Sequence, residues 1–409
     1  MNSGASIVIE TGRFGLPPPS TEFRLAAVCA GWPYSVTPVR DRISPEIDWE
    51  RFLTLVKRHR IAGLVYRSLT YPTEHKGVPE SVLDALSADA RRVAFHNLRL
   101  TAEALKLDHL MEAAGIEAAF LKGATLATLA YGDIGVRHSK DIDLLVAPQK
   151  LEAAISVLTD AGYEIRYLSN FSQSQLAQLK RYNHHISLFH PAKGCEVELH
   201  WRAVKNSFLM PEMPLPPNWV AIALGGAGTL RTLSSHDLLL YLCAHGAGHC
   251  WFRMKWLVDI AALVTRMDES ELWVLVQRAK FLGILRPLSQ GLLLASSVLE
   301  VPIPASIANL LLKDWAMRPL VAIASSALRT VSEPYDMRFG TAPMSLSQYL
   351  LRTDWHYWSE QLAVHFWNQE DWQEASLPAS LGFLYPLVRL FLWSRRQLNA
   401  SFRSSAAHG

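Results

Sequence analysis

The sequence has few cysteines and none of them in a CxxC pair. The four cysteines, Cys29, Cys195, Cys243 and Cys250, are scattered over 409 residues. Such spacing argues against a disulfide framework and is typical of proteins from a reducing compartment. We therefore expect a cytoplasmic protein.

Long apolar runs are also missing. The nearest candidate for a membrane span, residues 291–312, is interrupted by Glu300, Pro302 and Pro304. The first twenty residues lack the basic start and apolar stretch of a secretory signal. We expect neither a transmembrane segment nor a secretory signal.

An excess of charge of one sign is absent as well. The chain has 40 Lys and Arg against 37 Asp and Glu, a net charge of +3 that does not by itself indicate nucleic-acid binding. DNA binding is not indicated, and no basic tract with interleaved aromatic residues points to RNA. With 50% apolar and 19% charged residues, the composition is that of a globular protein with room for two or three domains.

The periodicity along the chain predicts an α+β fold, with a small mixed β-sheet core between N-terminal helices and a large C-terminal helical region. The predicted segments are a flexible leader (1–20), an N-terminal helical region (21–115), an α/β core (116–209), a linker rich in Pro and Gly (210–229), a C-terminal helical domain (230–397) and a flexible tail (398–409). Within the core we expect strands at 116–121, 141–146, 163–168, 184–190 and 195–201.

Two acidic residues, Asp141 and Asp143, interrupt an otherwise apolar strand. Residues i and i+2 of a strand point to the same face, so both carboxylates should converge on one place. Two adjacent anions beside an apolar core are costly unless a cation neutralises them, and oxygen ligands of this kind suit Mg²⁺. The alternative is a strand end at which both residues cap turns or pair with Arg137 and Lys140.

A third carboxylate is available on the last predicted strand of the core. Glu196, Glu198 and His200 share one face of that strand. If the strand lies beside the Asp pair, Glu198 would complete a site for two Mg²⁺ ions about 4 Å apart. The alternative is the solvated face of an edge hairpin.

A predicted strand ends at Lys122 and Gly123, and a predicted helix begins directly after it at Ala124. The free backbone N–H groups at such a helix start suit phosphate, and Lys122 adds a positive charge while Thr125 adds a hydroxyl. An ordinary helix start without a ligand is the alternative from this pattern alone.

The turn at 122–126, followed by the segment 137–144, resembles the nucleotidyltransferase superfamily related to DNA polymerase β. Within that superfamily the chain is similar to a large, poorly characterised bacterial family of nucleotidyltransferases. It also resembles toxin-type nucleotidyltransferases, which carry a Gly-Gly-Thr-like turn and a Ser-x-Asp-x-Asp strand. The resemblance covers about two thirds of the chain and extends to the segments at 97–100, 198–201 and 245–259.

The resemblance implies an enzyme that moves a nucleoside monophosphate from an NTP to an unidentified acceptor, which could be a small molecule, a peptide or RNA. Two Mg²⁺ ions would be the cofactors. The catalytic and metal-binding residues would be Asp141, Asp143 and Glu198, and the nucleotide-binding residues would be Lys122, Gly123, Thr125, Arg137, Ser139 and Lys140. A non-catalytic accessory protein that binds a nucleotide or a partner in a biosynthetic cluster is the alternative.

One position departs from the superfamily pattern. The Gly-Ser pair of the turn is replaced by Gly123-Ala124, so the hydroxyl that meets the triphosphate is missing there. Thr125 and Ser139 are the candidates to supply a hydroxyl in its place.

A later segment carries residues at helical spacing, so that one helical face would hold His245, His249, Phe252, Trp256 and Asp259. A zinc-protease motif is not supported, because glycine follows the first histidine where that motif has glutamate. The face is either a buried polar seam of hydrogen-bonded imidazoles or a wall of the active site.

In the second case, three residues near this helix are possible contacts to phosphate or acceptor, together with His200 of the core: His245, His249 and Arg253. Arg253 could equally be paired with Asp259, although two helical turns is a long separation for a direct pair.

Overall fold

The computed structural model of the protein describes residues 5–71, 76–166, 173–211, 218–337, 340–366, 387–389, 391–392 and 394–395. Helices dominate, and one five-stranded mixed sheet accompanies them. The predicted α+β class is confirmed. The predicted flexible tail and most of residues 367–397 lie outside the described residues.

The chain starts with a short strand, β1 (Ser6–Ile7), which pairs antiparallel with residues 303–304. Ile9 and Phe14, which follow it, are 3% and 4% exposed and belong to the main hydrophobic core. The flexible leader predicted for residues 1–20 is therefore wrong over residues 5–20. Apolar side chains at these positions gain more from burial than the segment loses in chain entropy.

Helices follow as predicted for the N-terminal region. Ser20 and Asp48 begin two of them by accepting hydrogen bonds from the backbone N–H groups of Phe23 and Arg51. The elements are α1 (Thr21–Gly31), α2 (Trp49–His59), α3 (Ala62–Leu69) and the 34-residue α4 (Glu80–Ala113).

The α/β core contains β2 (Ala118–Phe120), α5 (Ala124–Tyr131), β3 (Ile142–Val146), α6 (Leu151–Asp160), β4 (Glu164–Ile165), α7 (Gln173–Tyr182), β5 (His185–His190) and β6 (Cys195–His200). The sheet order is β2-β3-β6-β5-β4, and β3 and β6 are its parallel neighbours. The last two predicted strands, β5 and β6, pair antiparallel as a hairpin around the turn at 191–194.

The two faces of this sheet differ in chemistry. One face is apolar and contributes Ile142, Leu144, Val197 and Leu199 to a core that also includes buried residues of α4 and α6. The opposite face carries Asp143, Glu198 and His200. Alternation along the strands therefore places the charged groups together on the side away from that core.

The predicted linker is only partly a linker. Residues 212–217 lie outside the described residues, but β7 (Trp219–Ala223) and β8 (Thr229–Leu233) form an antiparallel hairpin. The positive φ angles of Gly225 and Gly226, 56° and 87°, allow the reversal between the two strands. Residues 219–229 are thus an ordered hairpin, contrary to the prediction.

The remaining elements are α8 (Ser235–Gly248), α9 (Met254–Val264), α10 (Glu269–Phe281), α11 (Leu285–Leu299), β9 (Ile303–Pro304), α12 (Ala305–Leu311), α13 (Met317–Arg329), α14 (Ala342–Tyr349) and α15 (Trp355–Phe366). Buried residues of α1–α3 and of α8–α13 share one hydrophobic core. This core also includes Ala119 and Leu145 of the sheet, so helices from the two parts of the chain pack together against it as the helical layer. No helix among the described residues is long and apolar enough to cross a membrane.

Candidate active site

Asp143 and Glu198 lie directly opposite each other on the parallel strands β3 and β6. His200, two residues beyond Glu198, points to the same face. Ligand atoms of these three side chains all lie within 4.8 Å of one another. The placement predicted for Glu198, beside the Asp pair on a neighbouring strand, is confirmed, while its catalytic role stays a prediction.

Lys122 neutralises part of this negative charge. Its Nζ lies 2.8 Å from Oδ1 of Asp143, and only 12% of its side chain is exposed. Burial alone would lower the pKa of Lys122, but the Asp143 carboxylate outweighs it and raises this pKa. The Tyr241 ring of α8 packs near the ammonium, with its centroid 5.8 Å from Nζ. Lys122 is therefore a fixed positive charge between the sheet and the helical layer.

The glycine turn precedes α5 as predicted. Gly123 is the N-cap residue of α5. Its backbone has φ 71° and ψ −133°, a conformation that residues with a Cβ rarely adopt. The first N–H groups of the helix are thus available beside Lys122.

Thr125 cannot supply the missing hydroxyl. Its side chain is fully buried, and its hydroxyl donates to the carbonyl oxygens of Phe120 and Lys122 at 3.1 and 3.0 Å. Thr125 therefore fixes the turn itself, and the prediction that it binds the nucleotide is not supported. A threonine one residue inside a helix commonly bonds local carbonyl groups, which the sequence reasoning underweighted.

Ser139 remains in position to meet a ligand. It lines a small pocket together with Lys122, Gly123, Asp141 and Asp143. Asn97 of α4 holds the segment before it. The Asn97 amide donates to the carbonyl oxygens of residues 134 and 137, both at 2.7 Å, and its Oδ1 accepts from the Ser139 N–H at 3.2 Å.

Asp141 lies at the edge of the carboxylate group. Lys140 Nζ is 3.7 Å from its Oδ2 and 3.4 Å from Oε2 of Glu196. Burial, together with the nearby Asp143 and Glu198 carboxylates, raises the pKa of Asp141 to about 6. Asp141 shares the small pocket with Asp143 but is not among the atoms that gather within 4.8 Å.

Two histidines that the sequence reasoning missed join this face. His185 pairs opposite His200 in the hairpin, and its Nε2 lies 3.9 Å from Oε1 of Glu198. His184 Nε2 lies 3.1 Å from Nδ1 of His185. The hairpin turn at 191–194 would have revealed this, because pairing across that turn aligns residue 185 with residue 200.

The electrostatics of the cluster favour ionised carboxylates. Burial would raise the pKa of Asp143, but Lys122 and then His200 hold it well below its usual range. Burial also acts on Glu198, yet His185 and His200 lower its pKa to about 2. Burial lowers the pKa of His185 to about 4 in spite of Glu198. The face therefore presents two anions beside a neutral imidazole.

Arg137 does not face the site. It is 2% exposed, and its guanidinium donates to both carboxylate oxygens of Asp259 at 2.8 Å. The Asp259 carboxylate raises the pKa of Arg137 although burial opposes it. The predicted phosphate contact by Arg137 is not supported, because its donors are directed to a buried partner.

The predicted continuous helix from His245 to Asp259 is wrong. Helix α8 ends at Gly248, and α9 begins at Met254. Cys250 and Trp251 have φ angles of 52° and 51°, which no α-helix contains. His245 and His249 both lie at the end of α8, and their rings contact Trp256 of α9 across the break.

His245 and His249 pack against each other and against Trp256. Their ring centroids are 4.7 Å apart, and those of His245 and Trp256 are 5.2 Å apart. Burial lowers the pKa of His249 to about 4 and that of His245 well below its usual range. The pair is thus buried in an aromatic seam that borders a cavity, and its role as a wall of the active site stays a prediction.

Arg253 lies away from the carboxylates. Its guanidinium contacts Glu333 at 2.6 Å and donates to the backbone carbonyl of Arg58. It does not pair with Asp259, and the predicted substrate contact by Arg253 is not supported.

A cavity of about 960 Å³ opens beside the histidine seam. It is lined by His184, His245 and His249 on one side and by residues of α14 and α15 on the other, among them Tyr349 and Gln361. Its size is sufficient for a drug-sized ligand. His184 connects it to the carboxylate face, since its ring lies 5.4 Å from that of His200.

A comparison with known protein families shows to which family the chain belongs. The family described as "Uncharacterised nucleotidyltransferase" matches residues 45–300, more than half of the chain. The chain belongs to this nucleotidyltransferase family. No curated protein is a significant match to it.

The nucleotidyltransferase match includes the glycine turn, the Asp strand, the hairpin and the histidine seam. It identifies the chain as an enzyme of the nucleotidyltransferase type. Residues 5–44 and those beyond 300 lie outside the match, yet Phe14, Leu25 and Leu320 belong to the same core as matched helices. The family region is thus stabilised by segments at both of its ends.

Proposed function

We propose that this nucleotidyltransferase transfers a nucleoside monophosphate from an NTP to an acceptor, with Mg²⁺ as the activating ion. The observation that carries the proposal is the register of β3 and β6, which sets Asp143 opposite Glu198 beside Lys122 and the glycine turn. The predicted cytoplasmic location fits the four cysteines, which are buried and form no disulfide within the described part of the chain.

The donor groups fit a divalent cation. Asp143 and Glu198 are held ionised, and Asp141 lies two residues from Asp143 on the same face. These oxygen donors are of the kind that Mg²⁺ prefers, with the rest of its ligands coming from water and substrate phosphates. When bound, the ion would supply charge stabilisation for the phosphoryl oxygens.

The triphosphate would lie over the glycine turn. Lys122 supplies a positive charge and the N-terminus of α5 supplies N–H donors. Ser139 lines the small pocket, and Lys140 adds a second cation beside Asp141. Arg137 and Thr125 have no part in this proposal, because each is bonded to a buried partner. Gly123 keeps the backbone free of a side chain at the point of closest approach.

The reaction balances without an oxidant or reductant. An acceptor oxygen would attack the α-phosphorus, the bond from that phosphorus to the bridging oxygen would break, and pyrophosphate would leave. The acceptor proton would pass to a nearby carboxylate and then to water, and Glu198 is the proposed group. Most of the rate enhancement would come from position and electrostatics.

The cavity of about 960 Å³ is the proposed acceptor site. It lies next to the carboxylate face, with His184 between the two, and neutral His245 and His249 on its wall can each donate and accept a hydrogen bond. A carboxylate does not occur among its described lining residues, whereas Lys205 and Arg389 do. This lining favours an acceptor that carries an anionic group.

The test is to incubate the protein with each labelled NTP, Mg²⁺ and a cell extract. Pyrophosphate release together with a labelled acceptor is the expected result. Asp143→Asn and Glu198→Gln should each abolish both signals. Glu198→Gln should leave the unfolding temperature close to that of the parent, whereas Asp143→Asn should lower it, because it leaves the Lys122 ammonium buried without its carboxylate.

The matched control is Glu112→Gln, which changes an exposed carboxylate of α4 in the same way. Its activity should equal that of the parent protein. Label transfer that persists in Asp143→Asn would rule out the proposed centre. Transfer of the terminal phosphate instead of the nucleotide would replace nucleotidyl by phosphoryl transfer.

A further inference from the structure

The carboxylate face contains an imidazole in a position that phosphate chemistry with Mg²⁺ alone does not require. We propose that His200 is a nitrogen ligand of the metal centre, so that this centre accepts a divalent transition-metal ion such as Mn²⁺ or Zn²⁺. The inference rests on the proposed function for the role of the ion, but its test does not depend on turnover.

The distances fit one ion. His200 Nε2 lies 3.4 Å from Oδ1 of Asp143 and 3.5 Å from Oε2 of Glu198. Donors at about 2.1 Å from a common ion in a tetrahedral arrangement lie about 3.4 Å apart. Both distances from His200 thus match the edge of a tetrahedral site, and the ligand atoms of all three side chains lie within 4.8 Å of one another.

The burial of His200 is the second, independent observation. The residue is 2% exposed, and neither ring nitrogen makes a hydrogen bond of acceptable geometry within the described part of the chain. Buried polar groups are nearly always satisfied, so a buried imidazole aimed between two carboxylates calls for a ligand. A bound cation would satisfy Nε2 and both carboxylates at once.

The strands hold this arrangement in place. Asp143 and Glu198 are cross-strand neighbours in a parallel pair, and Glu198 and His200 are i and i+2 on β6. His185 on β5 borders the other oxygen of Glu198, at 3.9 Å, and restricts how that side chain can turn. Donors on adjacent strands are pre-positioned, which is the condition for a tight site.

The donor set also sets the metal preference. Two carboxylates and one imidazole combine oxygen and nitrogen, and imidazole suits transition metals whereas Mg²⁺ takes oxygen ligands. A simple ion pair between a protonated His200 and the two carboxylates is the competing account. If that account holds, the His200 ring forms no bond to an added metal ion.

The experiment uses the full chain, freed of metal with a chelator and titrated with Mn²⁺ alone, without NTP or extract. Pulsed electron paramagnetic resonance of the bound Mn²⁺ should show coupling to a histidine nitrogen. His200→Gln should remove that coupling and weaken Mn²⁺ binding by roughly tenfold or more. His109→Gln, an exposed change on α4, is the matched control and should leave both unchanged.

Each outcome decides the proposal. Absence of nitrogen coupling in the folded parent protein, labelled with ¹⁵N-histidine to identify the nucleus, would overturn it even if His200→Gln does not fold. Coupling that persists in His200→Gln would assign the nitrogen to another histidine and would overturn it too. Nitrogen coupling without label transfer would argue against the proposed function but would support His200 as a metal ligand. Label transfer without nitrogen coupling would support the proposed function but would overturn His200 as a metal ligand.

Discussion

Arg137 and Asp259 form a bidentate ion pair, with both N–O distances at 2.8 Å and exposed side-chain fractions of 2% and 0%. The hydroxyl of Tyr131 donates to the same carboxylate at 2.7 Å. The pair connects the segment before the Asp strand to α9, so the sheet and the helical layer are joined at the base of the site. Its contribution is structural, because a charge of either sign would be costly here without the other.

Arg137→Met should therefore reduce the free energy of unfolding by about 3–5 kcal/mol, since it leaves Asp259 buried without a cation. Chemical denaturation measures this. The double change Arg137→Met with Asp259→Leu removes both charges and should recover most of the loss. An Arg137→Met protein that keeps its stability but has a raised KM for NTP would instead support a phosphate contact by Arg137.

The pair of Lys122 and Asp143 should behave differently, because it serves the site. Lys122→Met should lower the free energy of unfolding by about 3 kcal/mol and remove NTP-dependent pyrophosphate release. Adding Asp143→Asn should restore stability but not activity. Full activity in Lys122→Met would show that the positive charge is dispensable for the triphosphate.

Local patterns predicted much of the candidate site. That β3 and β6 are neighbours was a condition of the prediction, which the structure meets. The alternation within each strand put Asp141 with Asp143, and Glu198 with His200, on one face, and the hairpin turn indicates the register of β5 against β6. These features depend on the period of a strand and on a short turn. Both can be read from a few consecutive residues.

Ion pairs between residues that are far apart in the sequence could not be predicted from such local patterns. Arg137 and Asp259 are 122 residues apart, and their pairing depends on how α9 packs against α5. The sequence left a pair between Arg253 and Asp259 open, whereas in the structure Arg253 forms an ion pair with Glu333. An arginine beside a candidate site is chemically suited to phosphate and to a carboxylate alike, so only the fold decides.

The break between α8 and α9 was hidden for a similar reason. Trp251 is fully buried, and a Cβ on Gly246 would lie 2.5 Å from its ring. The indole N–H donates to Gln290 at 3.1 Å. Burial of this ring against a glycine outweighs the helical spacing of the histidines, which alone predicts an unbroken helix.

Gly123→Ala tests the backbone of the phosphate turn. A Cβ there meets nothing within 4 Å, but the φ of 71° with ψ −133° is a strained combination for alanine. We expect a loss of about 1–3 kcal/mol in stability and a raised KM for NTP. The control is Gly12→Ala, where a Cβ also meets nothing within 4 Å and φ is not positive. Equal effects of the two changes would argue against a special turn.

Buried histidines should make the fold sensitive to acid. Burial, followed by Arg58 and Arg253, lowers the pKa of His59 well below its usual range. Below pH ~6.5 the unfolded chain takes up a proton that the folded chain refuses. The stability present above that pH is therefore lost as the pH falls, at up to about 1.4 kcal/mol per pH unit.

His59→Asn tests this. The amide oxygen can still accept from the Met254 N–H, which now donates to Nδ1 of His59 at 3.2 Å. We expect a smaller decrease in the free energy of unfolding between pH 7 and pH 5.5 than in the parent protein, measured by urea denaturation. His109→Asn on the exposed face of α4 is the control and should keep the parental decrease. An unchanged slope in His59→Asn would assign the acid sensitivity to other groups.

Gly248→Leu tests the cavity as the acceptor site. Gly248 lines the cavity beside His249, and a Cβ there meets nothing within 4 Å, so a leucine would extend into open space. We expect label transfer to acceptors in cell extract to decrease, because the cavity is narrowed, while the dissociation constant for NTP stays unchanged. Gly12→Leu, which also places a side chain in open space, controls for the added bulk. Undiminished transfer in Gly248→Leu would place the acceptor elsewhere on the carboxylate face.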